Sequence, residues 1–146
     1  MKTVAVGDLD KVFKYLRKNN IEEVLNSVEE KSKRSPLHIA AKAGHMHLIE
    51  FFLNKNANIE ARDKLLKTAL HYACENGHTL AVKILMEHNA DPFEKDNCGR
   101  TALHYAVYSG KTDIMALLTQ HNTDIVHIKD HAGRTPLHHA VFMEAN

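Results

Sequence analysis

Thr101-Ala102-Leu103-His104-Tyr105-Ala106 repeats, letter for letter, Thr68-Ala69-Leu70-His71-Tyr72-Ala73. Looser versions flank the pair: Ser35-Pro36-Leu37-His38-Ile39-Ala40 before it and Thr135-Pro136-Leu137-His138-His139-Ala140 after it. The four segments start 33, 33 and 34 residues apart. Gly44, Gly77 and Gly110 keep the same beat, and Gly7 stands at the matching place in a degenerate first unit. A pattern held at five positions and returned at a near-constant interval marks an array of stacked units rather than a single closed core.

Each position has a physical reading. Ser35, Thr68, Thr101 and Thr135 precede apolar runs and predict helix N-caps, their side-chain oxygens accepting an otherwise unpaired N–H. Pro36 and Pro136 follow at the first helical position, where a missing N–H costs nothing. Leu37, Leu70, Leu103 and Leu137 are expected to point into the stack. Ala40, Ala73, Ala106 and Ala140 are small where a neighbouring helix must come close. The three glycines end the first helices, in the left-handed conformation glycine adopts most cheaply. Second helices follow at helical spacing, on Leu48, Ile49, Phe52 and Leu53, then Leu80, Val82, Leu85 and Met86, then Ile114, Met115, Leu117 and Leu118. The expected helices span 9–18, 36–43, 46–55, 69–76, 79–88, 102–109, 112–121 and 136–143. Polar connections such as Asp96-Asn97-Cys98-Gly99-Arg100 read as tight turns, with tips near 30–34, 63–67, 96–100 and 130–134.

The repeated hexapeptide and its period resemble the ankyrin repeat, whose period is 33 and whose signature is T-P-L-H-x-A. The likeness covers nearly the whole chain. It implies an all-α solenoid of stacked ankyrin repeats, each a helix-turn-helix with a projecting β-hairpin finger, in a right-angled array with a concave groove. The chain then forms one ankyrin-repeat domain, 1–146, with units near 1–29 (partial), 30–62, 63–95, 96–129 and 130–146 (partial). The first helix of unit one and the second helix of the last are expected to be missing. That suits either a fragment of a longer array or a short protein with abbreviated ends.

Three departures stand out. Gly7 to Ser35 spans 28 residues against 24 for Gly44 to Thr68, so four extra residues within Asn19 to Lys33 make the first finger irregular or extend its helix. One extra residue falls near Val126-His127, and insertions in loops are cheap. Where two fingers carry Gly99 and Gly133, the finger starting at Asp63 carries Leu66 beside Leu65. Those leucines either fold back on the neighbouring finger or form an apolar anchor for a partner.

Composition excludes several classes. With 44% apolar and 25% charged residues the chain is globular, not disordered. A net charge of +1 and no recognised module argue against nucleic-acid reading. No apolar run is long enough for a membrane span, and the start lacks a signal-peptide stretch. Cys74 and Cys98, two isolated thiols, suit a reducing compartment, the cytoplasm or nucleus. Twelve histidines invite a metal or acid–base reading. Yet His38, His71, His104 and His138 recur with the repeat, as do His45 and His78, which points to hydrogen bonding between turns of adjacent units. His45-Met46-His47 and His138-His139 lack a third ligand at persuasive spacing, and Cys98 has no assignable base. With no phosphate loop, no nucleophile elbow and no assembled base, neither catalysis nor a cofactor or metal is expected.

What remains is binding. Carrying the family's contact positions across gives Lys31, Ser32, Arg34 and Lys42; then Lys64, Leu65, Leu66, Lys67, Glu75 and Asn76; then Asn97, Cys98, Arg100, Tyr108 and Ser109; then His131, Ala132, Arg134 and Phe142. Tyr108 and Phe142 are the aromatic hot-spot candidates; Tyr72 and Tyr105 are expected to pack between helices. Ten cations, Lys31, Lys33, Arg34, Arg62, Lys64, Lys67, Lys95, Arg100, Lys129 and Arg134, map to the projecting edge, while Glu50 and Glu87 map to second helices. The edge is either simply solvated or a stripe that prefers an acidic partner segment. The resemblance implies a non-catalytic protein–protein interaction module gripping another protein by its groove and finger tips. The alternative is the targeting segment of a larger enzyme, ubiquitin-ligase adaptor or ion channel. End-to-end self-association is a further expectation, from apolar residues of the last helix.

Overall fold

The computed structural model describes residues 14, 16–120 and 122–145. Gly7 and most of the helix expected over 9–18 lie outside the described residues, though residues 14 and 16–18 are helical. A short helix α1 (Ile21–Asn26) follows. Three helix pairs come next: α2 (Pro36–Ala43) with α3 (Met46–Asn54), α4 (Ala69–Glu75) with α5 (Thr79–Glu87), and α6 (Ala102–Ser109) with α7 (Thr112–Thr119). A 3₁₀ turn (Thr123–His127) and α8 (Pro136–Glu144) close the described chain. The first helices form one row, α2 against α4 against α6 against α8, and α3, α5 and α7 form a second row behind them. Each pair contacts chiefly its neighbours, which is the geometry of a solenoid.

The N-cap residues do more than the signature requires. The Ser35, Thr68, Thr101 and Thr135 backbone N–H groups each donate to Nδ1 of the histidine three residues on, at 3.0, 3.0, 3.1 and 3.1 Å. An imidazole thus fills the role glutamate plays in the usual capping box. Because Nδ1 accepts, the proton sits on Nε2, which donates to the next finger: His38 to the Lys67 carbonyl (2.9 Å), His71 to Arg100 (3.1 Å) and His104 to Arg134 (3.1 Å). His38, His71 and His104 thus tie their own helix starts to the following unit, the fold role their recurrence suggested, whereas His138 is exposed and, among the described residues, bonds only its own cap, Thr135.

Leu37, Leu70 and Leu103 are buried, as are Ala40, Ala73 and Ala106. Ile49, Val82, Leu85, Ile114 and Leu118 close the other side of the same core. Burying each large aliphatic side chain contributes about 1.5–3 kcal/mol. Two expectations fail. Leu137 is 72% exposed, because no second helix lies against α8 among the described residues. Leu80 is exposed, and Ala81 takes the inward place beside Val82. At Gly44 the array is tight: φ is +73°, and an added Cβ would stand 2.6 Å from His78 Nδ1. His78 Nε2 in turn bonds the Lys42 carbonyl at 3.0 Å, so only glycine lets the next unit approach so closely.

The insertions are absorbed locally. The stretch that holds the four extra residues, Asn19 to Lys33, contains α1, capped by Asn20, whose side chain accepts the Glu22 N–H at 3.1 Å. The first finger closes over one residue more than the others, from the Glu29 N–H to the Arg34 carbonyl. The extra residue near Val126-His127 falls in the 3₁₀ turn, which buries Ile125.

The fingers are tight turns, and no strand occurs among the described residues, so the expected β-hairpins are not seen there. Neighbouring fingers share too few backbone bonds for a ladder: Lys64 N–H to Ser32, Asn97 to Leu65 and His131 to Cys98, each 2.9 Å. Those bonds nevertheless line the tips up at a fixed spacing. Leu66 occupies the left-handed place of Gly99 and Gly133, with φ of +59°. That conformation costs an L-residue about 1–2 kcal/mol, against about 0.5–1 kcal/mol of extra chain entropy lost by glycine. Leu66→Gly is therefore expected to leave stability unchanged or raise it by up to about 1 kcal/mol in urea unfolding; a clear loss would show that the Leu66 side chain is packed.

Candidate functional site

The face made by the fingers and the first helices is built, in three of the fingers, on one carboxylate each. Asp63, Asp96 and Asp130 start their turns and are buried. In each, Oδ1 accepts two backbone N–H bonds: Leu65 and Lys67 to Asp63 (both 2.9 Å), Cys98 and Arg100 to Asp96 (2.8 and 2.9 Å), Ala132 and Arg134 to Asp130 (both 2.9 Å). Oδ2 is held by the following helix: by the Tyr72 hydroxyl at Asp63, the Tyr105 hydroxyl at Asp96 and His139 Nε2–H at Asp130 (2.8 Å). Burial, reinforced by the bond to Asp63, pushes the Tyr72 hydroxyl up to about 12. Burial and the bond to Asp96 likewise raise that of Tyr105. Both tyrosines are therefore packed, as expected, and lock finger to helix.

Cations alternate with these rings along the same face. The Arg34 guanidinium carbon lies 5.0 Å from the Tyr72 ring centre, and its Nε donates to the Tyr72 hydroxyl at 3.1 Å. Lys67 Nζ lies between Tyr72 (4.9 Å) and Tyr105 (4.3 Å), and Arg100 faces Tyr108 at 5.7 Å. Such contacts contribute about 0.5–2 kcal/mol each, more as they are desolvated.

The expected contact residues divide by exposure. Lys31, Lys42, Lys64, Leu65, Leu66, Glu75, Asn76, Asn97, Cys98, Tyr108, His131, Ala132 and Phe142 are exposed, and Ser32, Arg34, Arg100, Ser109 and Arg134 are half-buried. Lys67 is the exception: it is 7% exposed and committed to Glu75 at 2.8 Å, so it is a structural cation rather than a surface contact. Several other cations of the edge are also paired, Arg62 with Glu94, Arg34 with Asp63 and Arg134 with Asp130. Leu65 and Leu66 both stay exposed at the tip of their finger.

The sequence does not place His139 or Met143 among the contact residues, and His139 figures there only as half of a pair weighed for a metal. His139 is buried, accepts the Tyr108 hydroxyl at Nδ1 (2.7 Å) and donates to Asp130. The signal was present: Tyr72, Tyr105 and His139 recur at the spacing of the three aspartates. Bonds to the Arg134 and Ala132 backbone and to His139 outweigh burial and hold the Asp130 carboxyl well below the usual carboxylate range. His104, Asp130 and His139 also bring one ligand-type atom each within 4.8 Å of one another. Both nitrogens of each imidazole already have partners, and the Arg134 Nε stands 3.2 Å from Asp130 Oδ2, opposing a second cation. The geometry of this cluster is that of a hydrogen-bond network anchoring the last finger.

A family model for ankyrin repeats (3 copies) matches residues 1–96 and 89–146, and the chain belongs to the ankyrin-repeat family. No curated protein matches it as a relative. Ankyrin repeats are generally protein–protein interaction modules and typically non-catalytic. No helix among the described residues is long and apolar enough to cross a membrane.

Proposed function

We propose that this chain is a non-catalytic binding module that grips a partner protein with its concave face and finger tips. One observation carries the reading: the finger tips are bonded edge to edge while their side chains, and those late in α4, α6 and α8, remain exposed. A pre-formed surface of this kind loses little conformational entropy on binding, which favours affinity from modest area. Tyr108 and Phe142 supply rigid aromatic area, and Leu65 and Leu66 supply an apolar tip. The cations left over from internal pairing give the surface a preference for acidic segments and a salt-sensitive association rate.

The test is photocrosslinking in cells. A benzophenone amino acid at Asn97 or Phe142, on the groove side, is expected to give discrete adducts with another protein. The same group at Lys83 or Glu50, on the second helices, is expected to give none. Equal adducts from both faces, or none from the groove, would exclude the concave face as the binding surface.

A further inference from the structure

Four cations share one register, at the base of successive fingers: Arg34, Lys67, Arg100 and Arg134. Three have a carboxylate within 4.0 Å: Asp63 for Arg34 (3.8 Å), Glu75 for Lys67 (2.8 Å) and Asp130 for Arg134 (3.2 Å). Arg100 has none among the described residues. The repeat itself explains the difference. Glu75, which neutralises Lys67, is replaced 33 residues later by Tyr108. Tyr108 offers Arg100 a ring face, and its hydroxyl is engaged with His139. The carboxylate of the same finger, Asp96, is occupied by two backbone N–H groups and Tyr105. The Arg100 Nε, though covered, forms no hydrogen bond of good geometry. Burial works against the charge of Arg100, but the Tyr105 and Tyr108 hydroxyls more than offset it. Beside it, Tyr108, Arg134, His139, Phe142 and Met143 line a shallow depression, and Phe142 and Met143 are 57% and 47% exposed.

We propose that Arg100 is the receptor for a carboxylate brought by the partner protein, entering where Glu75 sits one unit earlier, with an apolar side chain of the same acidic segment resting on Phe142 and Met143. This deepens the reading of the groove as a protein-binding surface and rests on it. An arginine fork suits the carboxylate because it can present two parallel N–H donors. The apolar neighbour suits the depression because the charged side is confined to its finger edge.

Random peptides displayed on phage and selected on the full chain provide the probe. The enriched pool is expected to carry Asp or Glu beside Phe, Leu or Ile. A fluorescein-labelled peptide from that pool, titrated by anisotropy, should bind Arg100→Gln about tenfold or more weakly, the loss expected of one charge-assisted bond. Arg100→Lys should retain part of the affinity. Replacing the peptide's carboxylate by its amide should cost as much as R100Q, and the two changes together little more. Tyr108→Glu should abolish binding with the helical circular dichroism intact, because the chain then supplies its own carboxylate. Peptides that bind R100Q and wild type equally but lose affinity with the L65S/L66G pair would overturn the Arg100 receptor and keep the groove. A pool with no enrichment would overturn both.

Discussion

Acidification from pH 7 towards 4 is expected to remove about 3 kcal/mol of unfolding free energy or more, much of it above the range in which carboxylates titrate. The cause is the row of capping histidines. His38, His71 and His104 are buried, and Nδ1 of each accepts a backbone N–H, so a proton placed there would face another hydrogen in a dry site. Burial is the leading reason that all three are lowered, and it takes His71 down to about 4. In the unfolded chain a histidine takes up its proton near pH 6.5. Between 6.5 and 4 the unfolded state therefore binds more protons than the folded one, and stability falls as pH falls. For His71 alone the gap corresponds to about 3 kcal/mol, and His38 and His104 add in the same direction. Urea unfolding at pH 7.5, 6 and 5 measures the slope. His71→Gln should be less stable at pH 7.5 and show a shallower decline. A wild-type profile flat from pH 7 to 5 would mean that these imidazoles are not held neutral inside the array.

Most of the architecture was legible because the repeat states it four times. Helix starts at Ser35, Thr68, Thr101 and Thr135 fall where capping chemistry places them, and the inter-unit role of His38, His71 and His104 follows from their period, while His138 keeps only the capping half of it. The misses share one cause: periodicity gives a position its usual environment, not its neighbours. Leu137 matches Leu103 in sequence but has no second helix against it among the described residues, so it is exposed. Lys67 resembles the other finger cations, yet Glu75 and two tyrosine rings enclose it. By sequence His139 is only half of a His138-His139 pair weighed for a metal, whereas it stands in for the tyrosine that anchors the earlier fingers. Arg100 is the converse case. Its distinction lies in what the repeat lost between Glu75 and Tyr108, and that loss matters only once the side chains are placed.

Asp96→Ala should destabilise the protein by about 3–5 kcal/mol, one of the largest effects available to a single residue outside the apolar core. Asp96 is 4% exposed, and its carboxylate accepts from the Cys98 N–H, the Arg100 N–H and the Tyr105 hydroxyl. Alanine strands these donors, and each unsatisfied buried group costs about 1–3 kcal/mol. Asp96→Asn should be milder, near about 1 kcal/mol, because its carbonyl oxygen can still accept both backbone bonds and only the Tyr105 contact must reverse. Adding Tyr105→Phe to the alanine variant removes one stranded hydroxyl and should make the two losses less than additive. Urea unfolding of the wild type, the two Asp96 variants, Tyr105→Phe and the double variant decides the point. An alanine variant within about 1 kcal/mol of wild type would show that water or another group satisfies the turn. The consequence reaches the binding face: Asp96 holds the backbone on both sides of the tip, and with it the angle at which Arg100 meets the groove. Asp96→Asn is accordingly expected to preserve peptide affinity, and Asp96→Ala to weaken it even under conditions where the chain is still folded.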